Sequence, residues 1–273
     1  MWTDITRSQH ARKELRLPSD LNDREWLILE PLMPAAKKRG RWLKWGWRKI
    51  LDAMFYLLRG GLPWRMLPDQ FPPFSTVQRW FYRWRDTGLW RDINHALVLR
   101  VREAQGREAS PTACVIDSQS VKTTESGGPR GYDAGKKVKG RKRHILTDTL
   151  GLMIEAVVHT ADIQDRDGGP LVLKNIRGRF PWLSHIFADG GYAGDQFAGK
   201  VAKTGKWSIE IIKRSDAAKG FVLLPRRWVV ERTFAWLGRN RRLAKDFETS
   251  IESATAWLFL ASVQLLTRKA AKH

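Results

Sequence analysis

Three acids stand out for where they sit. Asp117 follows the apolar run Cys114-Val115-Ile116 and leads into Ser118-Gln119-Ser120. Asp189 follows Ile186-Phe187-Ala188 and leads into Gly190-Gly191-Tyr192. Glu231 lies inside Trp228-Val229-Val230-Glu231-Arg232-Thr233-Phe234. A short apolar run ending in an acid reads as a buried strand that delivers a carboxylate to a sheet edge, where it must be solvated, paired or bound to a cation. A Glu in a helix that is apolar nearly all round carries the same demand. Carboxylates brought together repel unless cations neutralise them, and hard oxygen donors select Mg²⁺ or Mn²⁺. Two such ions on shared carboxylates support in-line attack at a phosphodiester. The expected site is therefore Asp117, Asp189 and Glu231 around two Mg²⁺ ions, with Mn²⁺ as a substitute.

Each acid also has a plainer reading. Asp117 and Asp189 fit turn or helix-cap positions, and Glu231 fits a surface pair with Arg227. Asp162, Asp165 and Asp167, and Glu155 before them, are spaced like turn acids and rank lower. Seventy-one residues separate Asp117 from Asp189, and 41 separate Asp189 from Glu231. Only a tertiary fold can join them.

The elements that must do so change character along the chain. Residues 1–20 read as a loosely ordered lead-in. A helix starts at Asn22 or Asp23, with Trp26, Leu27, Leu29 and Leu32 as its apolar positions. Residues 37–47 form a basic loop holding Lys37, Lys38, Arg39, Arg41 and Lys44. A stronger helix spans 47–59 and stops at Gly60-Gly61. Ser75 caps a helix over 76–86, in which Arg79, Arg83 and Arg85 alternate with Trp80, Phe81 and Trp84. A further helix runs from 89 to about 105. This arrangement is helix-turn-helix-like, with 76–85 as the candidate recognition element. After a linker at 106–112 come the strand at Asp117 and a basic, glycine-rich loop over 121–143. That loop holds Lys136, Lys137, Lys139, Arg141, Lys142 and Arg143 and is expected to be flexible. A hairpin follows (144–147 and 152–160), then a helix over 168–176, a strand at 185–188, a helix over 193–204, a strand at 208–213, and helices over 226–240 and 250–268. The order is mixed α/β, whose ligand sites gather outside the carboxyl ends of strands. The expected units are a lead-in at 1–20, a helical DNA-binding domain at 21–108 and a catalytic domain at 109–273.

Charge fits that division. The chain of 273 residues carries 49 basic against 28 acidic residues, a formal +21, and 14 Trp. Both parts are basic: 21 basic and 12 acidic residues precede position 111, and 28 and 16 follow it. Such an excess repels itself without a polyanion nearby, so nucleic acid is the expected partner. The single cysteine, Cys114, excludes an intrachain disulfide or a thiolate zinc cluster and reads as a small buried hydrophobe. No apolar leader or membrane-length run is visible, and a cytoplasmic protein is expected.

Three segments, taken in order, resemble the DDE transposases of bacterial insertion sequences, specifically the insertion sequence five family. They are Ile116-Asp117-Ser118-Gln119-Ser120-Val121-Lys122, Ala188-Asp189-Gly190-Gly191-Tyr192-Ala193-Gly194 and Pro225-Arg226-Arg227-Trp228-Val229-Val230-Glu231-Arg232-Thr233-Phe234. Residues 21–100, with Gly61-Leu62-Pro63-Trp64-Arg65-Met66-Leu67-Pro68, resemble that family's helical DNA-binding region. The resemblance implies a ribonuclease H-like mixed sheet flanked by helices, a DDE triad and two Mg²⁺ ions. It also implies binding of terminal inverted repeats in double-stranded DNA, hydrolysis to a free 3′-hydroxyl, and joining to target DNA by at least a homodimer. The wider superfamily's motif of Tyr, two residues, Arg, three residues, Glu, six residues, Lys is matched at Arg227 and Glu231. Leu224 and Gly238 stand at the Tyr and Lys positions, which leaves Arg239, Arg242 and Lys245 as the basic residues nearby. The competing expectations are an inactive DNA-binding relative, or repressor of the element, and a metal-dependent nuclease that cuts without joining.

Overall fold

The computed structural model describes residue 3 and residues 17–35, 44–212 and 227–272. Most of the expected lead-in, the basic residues 37–41, and Leu224 to Arg226 lie outside these. Residues 17–20 form a turn that buries Ser19 and Asp20.

Helix α1 (Asp23–Leu29) starts where the sequence places it, because Asn22 and Glu25 form a reciprocal capping box. Leu27 nevertheless faces outward, 67% exposed. Helix α2 (Trp47–Gly60) buries Ile50, Leu51, Met54, Phe55, Leu57 and Leu58 and ends on Gly61 at φ +71°. Helix α3 (Phe74–Asp86) begins two residues earlier than expected, with Pro73 before it and no side-chain cap, so Ser75 lies within its first turn. Helix α4 (Leu89–Ala104) completes the region.

The sheet uses β1 (Ala113–Lys122), β2 (Gly131–Asp133), β3 (Val138–Asp148), β4 (Met153–Thr160), β5 (His185–Ala188) and β6 (Ser208–Ile211). Its order is β2-β3-β1-β5-β6, with β4 also paired to β3. β3 runs antiparallel to β1, β2 and β4, while β5 is parallel to β1 and β6 to β5. Helices α5 (Asp165–Ile176), α6 (Asp195–Thr204), α7 (Trp228–Gly238) and α8 (Ile251–Ala270) complete the described chain. No described helix is long and apolar enough to cross a membrane.

Two expectations fail here for one reason. Much of the flexible basic loop over 121–143 is strand, and Arg141, Lys142 and Arg143 are buried on β3. Arg141 donates to the carbonyls of Pro129, Glu248 and Thr249 and pairs with Asp246 at 3.2 Å. Arg143 donates to the carbonyls of Leu243 and Lys245, and Lys142 pairs with Asp165 at 3.0 Å. A cation tolerates burial where acceptors converge on it, and composition alone does not reveal that convergence. The tryptophans likewise serve packing first. Trp47 meets Trp80 and Trp84 edge-on, and Phe81 stacks on Trp257 of α8 at 4.4 Å.

Helix α8 packs on α1 to α4 and on β4, so the helical region and the sheet share one core. One buried ion pair, Arg102 with Asp148, crosses the junction; a second, Arg242 with Glu248, is local to its segment and holds Arg242 against the helical region. Arg242 was an expected DNA contact. Instead it donates to the Leu62 carbonyl and lies over Trp257, 4.3 Å from the ring centre.

Candidate active site

The parallel pairing of β1 with β5 sets the geometry. Ala113 opposes His185, Cys114 opposes Ile186 and Val115 opposes Phe187. Two residues beyond the last pair, Asp117 and Asp189 come level at the carboxyl end of β5. Asp189 follows its strand as expected, but β1 does not end at its acid: it runs on to Lys122 beside β3, so Asp117 lies within the strand, opposite Ile145. Asp117 is buried, and the Ser118 N–H donates to its Oδ1 at 2.7 Å. Asp189 does two things at once. Its Oδ1 accepts the Gly191 N–H at 2.8 Å, capping a short helical turn, and its Oδ2 accepts Arg227 Nη2 at 3.2 Å. The cap reading of Asp189 therefore holds, and its second oxygen is engaged by a cation at the same time.

Arg227, just before α7, carries the link onward: its Nε lies 3.8 Å from Glu231 Oε1. Glu231 is not in a wholly buried helix. α7 buries Val229, Val230, Thr233 and Leu237 on one side, and the Glu231 side chain is 55% exposed. A run that is apolar in composition has outward positions once one face is chosen, and Glu231 occupies one of them. Among the described residues no group of three or more His, Cys, Asp or Glu is arranged to hold a metal ion.

The electrostatics identify Asp117 as the unusual acid. Burial, with Asp189 nearby, pushes its carboxyl up to about 7, against the Ser118 N–H and the charges of Arg227 and Lys136. Between its ordinary value near 3.8 and about 7 the folded state keeps a proton that the unfolded chain releases. The contribution to folding is whole below about pH 4 and is lost as the pH rises to about 7. Asp117→Asn should therefore stabilise the protein at pH 8 by on the order of 3 kcal/mol, and much less at pH 4. Thermal unfolding at the two pH values checks this; equal effects at both would mean that the carboxylate is fully compensated in the fold.

Sequence reasoning underrated several neighbours. Asp165, at the first residue of α5, accepts from Ser118 Oγ at 2.8 Å and pairs with Lys142. Its other oxygen and Asp189 Oδ1 both lie about 3 Å from where a Cβ on Gly191 would stand. Lys136 Nζ donates to the Ser118 carbonyl and hydroxyl at 3.0 and 3.2 Å. Tyr192 is buried against His144, its hydroxyl 2.9 Å from His144 Nδ1. Burial, together with Asp117, Asp165 and Asp189, holds that phenol well above its ordinary range. Asp165 was read as a turn acid ahead of a helix over 168–176, whereas α5 starts three residues earlier, at Asp165 itself.

The expected DNA contacts divide. Arg79 and Arg83 are exposed on α3, beside an open depression that Gln78 and Tyr82 also line. Arg85 is half-buried and engaged by Asp86, Ser253 and the Tyr82 ring. Lys137, Lys139, Arg239 and Lys245 are exposed; Arg141, Lys142, Arg143 and Arg242 are not.

Comparison with known proteins places the chain among transposases. Residues 108–266 match the family model described as "Transposase DDE domain", and residues 21–94 match one described as "Putative transposase of IS4/5 family". The "Putative transposase for insertion sequence element IS402" of Burkholderia cepacia is 30% identical over 153 residues, 54% of this chain and 70% of the relative. A second Burkholderia cepacia protein, "Insertion element IS402 uncharacterized 16.2 kDa protein", is 31% identical over 114 residues, 39% of this chain and 76% of the relative. "Uncharacterized protein y4sN" of Sinorhizobium fredii (strain NBRC 101917 / NGR234) is 31% identical over 84 residues, 31% of this chain and 65% of that protein. No solved structure gives a significant match. The chain belongs to the DDE transposase family, in its IS4/5 insertion-sequence group.

Proposed function

We propose that this protein binds the terminal inverted repeats of its mobile element, hydrolyses a DNA strand to a free 3′-hydroxyl, and joins that end to target DNA. The observation that carries the reading is the in-step parallel pairing of β1 with β5, which brings Asp117 and Asp189 level at the carboxyl end of β5, where Arg227 reaches towards Glu231. An antiparallel set of β4, β3 and β1 continued by parallel β5 and β6 supports a ribonuclease H-like catalytic domain from about residue 109.

The residues fit a divalent cation. Asp117 and Asp189 are hard oxygen donors, and an acid kept protonated to about 7 by burial is one that a divalent cation would ionise and hold. Two bound Mg²⁺ ions would supply charge stabilisation to the attacking and leaving oxygens. Asp117 and Asp189 would be their principal holders, with Glu231 as the third ligand. Arg227 now spans Asp189 and Glu231, and its guanidinium is suited to a DNA phosphate. Lys136 fixes Ser118 and so the direction of Asp117.

The helical region at 21–108 supplies end recognition. Arg79 and Arg83 on α3 approach DNA, while Lys137, Lys139, Arg239 and Lys245 add backbone contacts near the acids. Bringing two ends together calls for a homodimer or a larger assembly on DNA. Binding should weaken steeply with salt, by about 10³-fold or more between 50 and 200 mM. Arg79→Ala with Arg83→Ala should reduce end binding more than cleavage of a non-specific duplex. Fluorescence anisotropy across a salt series checks both; a flat salt response would remove the basic-surface reading.

The functional test uses the full chain, Mg²⁺ and a duplex bearing the element's end, followed by a pre-cut 3′-hydroxyl end with target DNA. Cleavage and joined product are expected. Cleavage without joining would identify a nuclease, and binding with neither would identify a DNA-binding relative without chemistry.

A further inference from the structure

Glu231 has little of its own to aim it. Its side chain is more than half exposed, and its ion-pair contact with Arg227 is a loose 3.8 Å. The direction of Glu231 is therefore set by the rotation of α7 about its axis, and neighbouring residues determine that rotation. Trp228, Arg232 and Trp236 recur every four residues and form one stripe on α7. The Arg232 guanidinium lies 4.3 Å from the centre of the Trp228 ring and 4.5 Å from that of Trp236. Lys269 of α8 lies 4.3 Å from the centre of the Trp236 ring, which joins the stripe to the adjacent helix.

The same arginine reaches the β3–β4 turn, where its Nη2 donates to the Leu150 carbonyl at 3.0 Å. The next residue, Thr233, donates to the Gly151 carbonyl at 2.9 Å. Gly151 has φ +80°, and a Cβ there would stand 3.0 Å from Thr233 Oγ1 and 3.1 Å from Arg232 Nη2. The turn thus closes directly against two consecutive residues of α7.

We propose that Arg232, stacked between Trp228 and Trp236 and tied to the β3–β4 turn, is a positioning residue that sets the rotation of α7 and so aims Glu231 at Asp189. Successive helical residues project about 100° apart, so fixing positions 232 and 233 fixes position 231. Lysine keeps the charge but loses the planar stack and the guanidinium donors. The proposal rests on the reading of Glu231 as a metal-holding acid for its functional consequence, but its geometric content can be tested without metal.

The geometric test places cysteines at both acids, Asp189→Cys with Glu231→Cys, in the full chain. The sole native cysteine, Cys114, is buried. The rate of cross-linking with a short bis-maleimide should fall at least about threefold when Arg232→Lys is added, and similarly when Trp236→Leu is added. Circular dichroism identifies the folded variants to be compared. Unchanged rates in both folded variants would overturn the proposal.

Mn²⁺ binding, followed by the electron paramagnetic resonance signal of the free ion, provides the functional arm. Glu231→Gln should weaken binding about tenfold, Arg232→Lys by a few-fold, and the double variant no more than Glu231→Gln alone. Full additivity would show that Arg232 does not act through Glu231 and would overturn the proposal. Unchanged Mn²⁺ binding in Glu231→Gln, with cross-linking still dependent on Arg232, would sink the metal-ligand reading of Glu231 and leave the positioning role standing.

Discussion

Asp117→Ala and Asp189→Ala should each lower Mg²⁺-dependent strand cleavage by at least about 10³-fold, and Glu231→Gln by a similar or smaller factor, with end-DNA binding within about threefold of the parent. A factor of 10³ corresponds to about 4 kcal/mol of lost transition-state stabilisation, a plausible share for one ligand among charges that act together. The ranking follows from position. Asp117 and Asp189 issue from paired strands and cannot be replaced by a neighbour's movement. Glu231 lies on an exposed helical face and can be partly substituted by solvent. Single-turnover cleavage, measured beside anisotropy binding, separates chemistry from recognition. Variants that cut as well as the parent would disprove the site. Equal loss of cutting and binding would mean that the acids matter only for holding the fold or the DNA.

Arg141→Ala should unfold the protein rather than merely loosen its grip on DNA, at a cost of about 3–5 kcal/mol. The Arg141 side chain is fully buried and draws the segment around residues 246–250 to β3. That segment ends at Ser250, which caps α8, and α8 carries the contact between the helical region and the sheet. Removing the guanidinium leaves Asp246 unpaired and several carbonyls without donors, so the loss should exceed that of a simple cavity. By contrast, Lys137→Ala and Lys139→Ala, on exposed residues of the same basic stretch, should change stability by less than about 0.5 kcal/mol and reduce DNA affinity. Thermal denaturation of the three variants decides the matter. If Arg141→Ala melts with the parent and loses only DNA binding, the expectation from composition was correct and its burial has no energetic weight.

Part of the sheet was legible because its chemistry is local, whereas β2 and residues 138–143 of β3 were read as flexible loop. Apolar runs ending at Asp117 and Asp189, and a hairpin punctuated at Asp148-Thr149-Leu150-Gly151, need no long-range information to be recognised. The helix start at Asn22 and the stop at Gly61 were equally local, since a cap is built from a few consecutive residues. The start of α3 was misread because Ser75 is a good cap in isolation, whereas the backbone enters the helix at Pro73.

What composition could not reveal was which charges meet acceptors. Lys136, Arg141, Lys142 and Lys139 look alike in a glycine-rich basic stretch, yet one fixes Ser118, two are buried in ion pairs and one faces solvent. The same limit hid Asp165 among turn acids and exposed Glu231 on a helix that reads as apolar all round. The sequence by itself determined the basic character of the chain, the two strand-borne acids and the family to which their motifs belong, because those depend on residue type and nearest neighbours. The tertiary structure alone decided that β1 and β5 run side by side, that Arg227 reaches Asp189, and that α8 welds the helical region to the sheet. These are contacts between residues tens to more than a hundred positions apart. Their energies come from burial and charge pairing, which exist only after the chain has closed on itself.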